Sequence, residues 1–268
     1  MAAGSAGTLV RDWRVRRRRS QMDLALEVGV SPRHLSFVET GRSKASPELL
    51  LALAEHLEIP LRERNLILLA GGYAPHFSRL PLDSREMAQV HRTLQRILDG
   101  HDPYPALVID RYWNVVLANR AAGPLLTGLP RHVIDPEPNV FRISLHPDGL
   151  APRTVNFEDW ARYLLGQLHR AARLTGDATL EALVAEVTGY PDVAALGDWR
   201  TQPNGAELAL LVPLLLKSPA GDLSLFTTLT VFGTPQDVTL SELAVELFYP
   251  GDDATEVRLR AASLLPDR

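Results

Sequence analysis

Eight histidines, no cysteine and a run of four arginines are the features of this sequence that bear first on chemistry. His146, Pro147 and Asp148 form a loop tripeptide whose imidazole and acid can interact, but no nucleophile is in view beside it, and it reads as structural. The other histidines are scattered, and no two fall at metal-ligand spacing on one expected helix. No G-x-S-x-G elbow, phosphate loop, dinucleotide glycine pattern or H-E-x-x-H helix occurs, so no catalytic residue, metal site or cofactor is expected. The lack of cysteine excludes disulfides, thiolate ligands and a cysteine nucleophile, and is compatible with a reducing cytosol. Arg16, Arg17, Arg18 and Arg19 have the charge to meet phosphates, yet at about 100° per residue they point in four directions and cannot all face one backbone. The alternative is that they suit a helix C-terminus, where positive charge is favoured.

A length of 268 residues favours two domains, and 46% apolar with 22% charged residues suffices for cores that need no staples. The net charge of −4 is unevenly placed. Residues 1–70 hold 11 Lys+Arg against 8 Asp+Glu, leaving 17 against 24 for residues 71–268, so the first part can approach phosphates and the second repels them. The longest apolar run, Leu208 to Leu216, covers nine residues and contains Pro213, whereas a membrane-spanning helix needs about 20. A signal-peptide reading of the arginine run fails because Gln21, Asp23 and Glu27 interrupt what should be its apolar core. No membrane insertion and a cytoplasmic location are the expectations.

Ser20, Ser31 and Ser46 each precede a segment of helical period, and Pro32 and Pro47 sit at the first helical position, where a missing N–H costs nothing. Gly29 stands where one helix must end and the chain turn sharply. Leu24, Ala25 and Val28, Val30 in the turn, and Leu35 and Val38 fit two short helices crossing over one small core, with the small Ala25 at the crossing. Leu50, Leu53, Ala54 and Leu57 supply the helix that closes its base. A short helix, a tight turn and a second helix make a helix-turn-helix. The string SQMDLALEVGVSPRHLSFVETGRSKASPELLLALAEHLEIP closely resembles the lambda-repressor-like DNA-binding domains of the xenobiotic-response-element family, over roughly residues 8–70.

That resemblance implies double-stranded DNA as partner, with the second helix in the major groove. Pro32, Arg33, His34, Ser36 and Phe37 take its leading or outward positions. Arg33 is the expected base reader, since a guanidinium can bond guanine O6 and N7 together. Phe37 stands where related domains often carry a polar reader, and would contact thymine methyls or sugar edges. Gln21, Thr40, Arg42 and Lys44 would hold phosphates, which sets register rather than sequence. Arg14 is implied to pair with Glu39 as a structural element. One short recognition helix reads few base pairs, so a homodimer is expected.

Asp83 and Glu86 have capping-box spacing ahead of Met87, Val90, Leu94, Ile97 and Leu98, predicting a helix that ends at Gly100 and either joins two domains or contributes to a dimer. Beyond Tyr104 the pattern becomes extended. Leu107 to Ile109 and Val115 to Leu117 read as strands around the polar bend Asp110-Arg111, and resemble the opening hairpin of a PAS-type sensor domain. Two helices follow, one capped by Asn156 and ending at Gly176, one from Asp177 to Gly189. Leu208 to Leu216, Leu223 to Phe232 and Val238 to Phe248 then read as strands, the last with Leu243, Val245 and Leu247 on one face opposite Glu242 and Glu246. The sum is a sheet with helices over one face.

With LRERNLILLAGGYAP, SLHPDGLAPR and VFGTPQDVTLSELAVELFYP added, nearly the whole chain resembles the MmyB-like transcription regulators. The fold class expected is therefore multi-domain: an all-α lambda-repressor-like helix-turn-helix over residues 1–75, a linker helix over 76–103 and an α+β PAS-like domain over 104–268. The resemblance implies a small apolar ligand in the last of these, a long-chain fatty acid or similar lipid, whose carboxylate Arg142, His146 or Arg153 would answer. Two alternatives stay open: a DNA-tethered enzyme acting on a small molecule, and a PAS sensor holding haem or flavin.

Overall fold

The computed structural model describes residues 4–200 and 211–263, which divide into two compact units: residues 4–86 with 232–241, and residues 87–200 and 211–231 with 242–263. In the first unit, five helices run from α1 (Ala6–Arg16) through α2 (Gln21–Val28), α3 (Pro32–Glu39) and α4 (Pro47–His56) to α5 (Leu61–Ala70). The three serine caps form as the spacing predicts. Ser20, Ser31 and Ser46 hydroxyls accept from the backbone N–H groups of Asp23 (3.0 Å), His34 (3.1 Å) and Leu49 (3.2 Å), each worth about 1 kcal/mol. Gly29 ends α2 at φ +77°, the left-handed conformation that turns the chain into α3.

Leu24, Ala25, Leu35, Val38, Leu50 and Leu53 bury almost completely in one core with Val10 and Trp13 of α1. The approach of α1 to α3 is so close that a Cβ on Gly7 would lie 1.9 Å from the carbonyl oxygen of Val38. Beside that contact the Glu39 carboxylate is wholly removed from solvent. It accepts from Arg14 Nε (2.6 Å) and Nη2 (2.8 Å) and from Gln21 Nε2 (2.6 Å). One acid thus ties α1 and α2 to the end of α3. The arginine run is largely internal in purpose: Arg17 donates to the Leu57 and Glu58 carbonyls after α4, Arg19 pairs with Glu27, and Arg16 lies over the Trp13 ring.

In the second unit, α6 (Ala88–Asp99) precedes β1 (Ala106–Ile109) and β2 (Val115–Ala118). The expected Asp83/Glu86 capping box does not form. Residues 82–87 are turns, and α6 starts without a side-chain cap, packing Leu94 and Leu98 into the interior of this unit. At the β1–β2 bend, Asp110 Oδ1 accepts from the N–H groups of Tyr112 (2.8 Å) and Asn114 (2.9 Å), which is why the polar pair turns the chain. Asn119 then caps the next turn from a buried position, accepting from Ala106 N–H and Ala122 N–H and donating to Tyr104 O and Asp102 Oδ1.

Short helices α7 (Gly123–Leu126), α8 (Arg131–Ile134) and α9 (Val140–Leu145) lead to α10 (Phe157–Thr175), α11 (Ala178–Thr188) and α12 (Pro191–Ala194). Asn156 does not cap α10. Its amide instead pairs with the backbone of the strand region, donating to Pro213 O (2.7 Å) and accepting from Leu215 N–H (3.0 Å). Strands β3 (Leu214–Leu216) and β4 (Leu223–Val231), then the single turn α13 (Val238–Ser241), β5 (Ala244–Pro250) and α14 (Asp253–Ser263) complete the chain. Residues 208–210 of the first expected strand lie outside the described residues, and the last expected strand begins at 244 because 238–241 is helical. That turn belongs with the first unit, where Asp237 accepts from Ser78 Oγ (2.7 Å) and Leu80 N–H (3.1 Å).

The sheet is antiparallel, in the order β2-β1-β5-β4-β3. Both of its faces carry buried side chains in β1 and β5, while the last residues of β4, Thr228 to Val231, are exposed. Val108 and Val245, paired across β1 and β5, are buried on one side, while Phe248 and the carboxyl of Glu246 are buried on the other. The alternation read along β5 is therefore real, but the face carrying Glu246 points inward, against the core of Phe141, Ile143, Trp160, Leu164, Leu214 and Leu225.

Glu39→Ala is expected to lower the stability of the first unit by about 3 kcal/mol, because Arg14 would stay mostly buried without its partner. Urea denaturation measures this; a change below about 0.5 kcal/mol, the scale of an ordinary surface substitution, would contradict the role given to the acid.

Candidate nucleic-acid interface and ligand cavity

Arg33, Ser36, Phe37 and Thr40 fall at spacings of three and four, so they share the outer face of α3. Pro32, Arg33 and Thr40 are exposed, whereas His34, Ser36 and Phe37 are half-buried. Two guanidiniums approach the Phe37 ring, Arg33 at 5.4 Å and Arg42 at 6.0 Å from its centroid, so the aromatic side chain attracts both cations. Lys44 lies over the Tyr73 ring at 5.0 Å, with its ammonium exposed. Gln21 differs from the other candidates because its amide donates to Glu39 and is committed to the buried pair. Thr40 Oγ1 is turned back onto the Ser36 carbonyl at 2.7 Å, leaving its oxygen free to accept.

The second unit holds a cavity of about 50 Å³ between the inward sheet face and the helices, walled by Leu107, Leu126, Ile143, Leu214 and Phe248. Ser144, Trp160 and Glu246 are the lining residues that carry side-chain heteroatoms. Among the described residues neither Trp160 Nε1 nor Glu246 Oε2 finds a hydrogen-bond partner, and both atoms are shut off from solvent. Burial pushes the Glu246 carboxyl up to about 7, against a smaller opposing effect of a hydrogen bond from Thr227. Among the described residues no cationic side chain lines the cavity with it.

The three residues expected to answer a ligand carboxylate lie elsewhere. Arg142 lines a separate open cleft of about 220 Å³ with Tyr112, Asn139 and Glu186. There it donates to both Glu186 oxygens, at 2.7 and 2.8 Å, and this bond raises the guanidinium and lowers the Glu186 carboxyl. His146 accepts from the Asp148 N–H through Nδ1, its ring edge against Tyr190. Arg153 donates to the Lys217 carbonyl at 3.2 Å. The loop pair His146 and Asp148 gains a third member that sequence spacing could not supply, His132 of α8: ligating atoms of the three come within 4.8 Å of one another, with His132 Nε2 2.9 Å from Asp148 Oδ2. Those atoms have the chemistry to hold a divalent cation, at the cost of the turn bond on His146 Nδ1.

Residues 10–64 match a helix-turn-helix family, and residues 90–262 match the MmyB-like transcription regulator ligand binding domain. The chain belongs to the MmyB-like transcription regulators. It is a DNA-binding transcription regulator with a ligand-binding domain. No curated protein matches it. Among the described residues no helix is long and apolar enough to cross a membrane. In this MmyB-like regulator the matched ligand-binding segment takes in both the 50 Å³ cavity and the Arg142 cleft.

Because the Glu246 carboxyl is raised in the folded protein, the folded state holds its proton where the unfolded chain has released it. Stability is therefore lost as pH rises from the usual carboxylate value of about 4.5 towards about 7. Glu246→Gln removes that titration. Its stability relative to the parent protein is expected to grow by roughly 2 to 3 kcal/mol between pH 5 and pH 8 in urea denaturation. A difference that does not change with pH would show that the acid is not held neutral.

Proposed function

We propose that this regulator recognises a specific DNA sequence by laying α3 in the major groove. The observation that carries the reading is the outer face of α3, where Arg33 is exposed and held over Phe37 at the leading end of a capped helix. Arg33 reads a guanine edge, and Pro32, His34, Ser36 and Phe37 complete the contacts to bases and sugars. Thr40, Arg42 and Lys44 meet phosphates, and Gln21 joins them by orienting through Glu39. Two copies act together on a two-fold operator, since one such helix spans too few base pairs for selection within a genome. A cytoplasmic location follows from this role.

The second domain is proposed to be PAS-like, supported by its strand, strand, helices, three-strand order and its helix-packed antiparallel sheet. Its ligand is small and apolar, of fatty-acid or similar lipid type, a reading supported by the apolar wall that Leu107, Ile143 and Phe248 present inside the domain. Arg142, His146 and Arg153 are the groups proposed to meet a carboxylate that reaches the surface of this domain. Ligand binding regulates by favouring one of two conformations that differ in affinity for it.

Selection of bound duplexes from random DNA, run with the parent protein and with Arg33→Ala, tests the assignment. The substitution is expected to relax preference at one base position by a factor of roughly 10 to 100, corresponding to about 1–3 kcal/mol. Lys44→Ala is expected instead to weaken binding to all sequences alike and to reduce the slope of log K against log salt by about one. An Arg33→Ala protein that selects the same sequences as its parent would overturn the role of α3.

A further inference from the structure

Two short helices of the second domain bring His132, His146 and Asp148 together. His132 is the second residue of α8, and His146 is the residue that ends α9. Asp148 follows in a turn closed by three hydrogen bonds: Gly149 N–H to His146 O (2.8 Å), Leu150 N–H to Ile143 O (2.7 Å) and Asp148 N–H to His146 Nδ1 (3.0 Å). The His146 ring is half-buried, its edge against Tyr190 with centroids 4.9 Å apart, and the Tyr190 hydroxyl donates to Glu186 at 2.8 Å. The imidazole is thus held in place before anything binds to it. The side chains of His132 and Asp148 are 57% and 59% exposed, so an ion can reach them from solvent.

We propose that His132 Nε2, His146 Nδ1 and a carboxylate oxygen of Asp148 bind a divalent transition-metal ion of the Zn²⁺ type. Zn²⁺ takes imidazole nitrogen and carboxylate oxygen at about 2.0–2.2 Å, and tetrahedral directions then set the ligand atoms about 3.4 Å apart. His132 Nε2 stands 2.9 Å and His146 Nδ1 4.0 Å from Asp148 Oδ2, so the two separations bracket that requirement. All three ligating atoms lie within 4.8 Å of one another, and a small turn of the exposed His132 side chain closes the set. Two imidazoles and one carboxylate suit Zn²⁺, Ni²⁺ or Co²⁺, whereas Mg²⁺ and Ca²⁺ take oxygen donors. The ion replaces the proton shared by His132 Nε2 and Asp148 Oδ2, His132 keeping a proton on Nδ1, and it replaces the turn bond on His146 Nδ1. Arg131, next to His132, is paired with Asp135 at 3.4 Å, which offsets its repulsion of the cation. Three protein ligands leave a position for water or an anionic group, so His146 still serves a ligand carboxylate, now through the ion. The site itself needs no such ligand. Once bound, the ion joins α8 to the turn after α9, and its binding adds to the stability of the folded domain.

Calorimetric titration of the untagged full-length protein with the chlorides of Zn²⁺, Mg²⁺ and Ca²⁺ tests the site. We expect one Zn²⁺ per chain with a Kd of roughly micromolar or below, and Mg²⁺ and Ca²⁺ at least about 100-fold weaker. His132→Ala and Asp148→Asn should each weaken Zn²⁺ binding by at least about tenfold. His56→Ala, an exposed histidine of α4, should leave it unchanged. Co²⁺ reports the place without any variant: its paramagnetism should broaden the amide signals of His132, His146 and Asp148 before those of His34 and His101. Absence of Zn²⁺ binding at micromolar concentrations overturns the assignment, as does binding that both variants leave unchanged. Mg²⁺ held as tightly as Zn²⁺, or Co²⁺ broadening centred elsewhere, overturns it too. Both substituted side chains are exposed, and the metal comparison and the Co²⁺ measurement use only the parent protein, so the test stands even where a variant does not fold.

Discussion

A polar group taken out of water must find a partner, and most of this chain's architecture follows from meeting that requirement. Glu39 meets it with three hydrogen bonds from two helices, and so sets where α3 ends and which face it offers. Asn119 meets it by satisfying both ends of its amide, which fixes the start of the segment after β2. Asp237 meets it by collecting Ser78 and Leu80, which brings a stretch from between β4 and β5 into the first unit. Among the described residues of the second unit, Trp160 Nε1 and Glu246 Oε2 leave it unmet, and both side chains lie along the apolar cavity.

The helix-turn-helix was legible because its signals are local. A serine three residues before a free N–H, a proline at the first helical position and a glycine at a left-handed turn each depend on neighbours a few residues away. The second domain was legible only in part, because its deciding contacts join residues far apart. Asn156 precedes a helix as a cap would, yet it bonds across to Pro213 and Leu215. Asp83 and Glu86 have the right interval for a capping box, but the chain there is held in turns and α6 starts later. The alternation in β5 correctly separated Val245 from Glu246. It could not tell that β5 would bury side chains on both faces, so an acid on the polar side of the pattern became an interior group.

Regulation asks that ligand and DNA each prefer one of two conformations, and the ligand can shift the balance only by its difference in affinity between them. The chain passes from one unit to the other after residues 86, 231 and 241. Glu246 lies in β5, the first strand after the last of these passages, so a residue lining the cavity is close in sequence to the DNA-binding unit.

The DNA-binding reading depends on α3 being the element that enters the groove. Backbone amide shifts of the full-length protein, followed by nitrogen-15 NMR as a duplex selected from random DNA is added, test it directly. The largest changes should fall on Arg33 to Thr40 and on Arg42 and Lys44, with those of α5 smaller. Changes centred on another helix while the amides of α3 stay in place would contradict the reading.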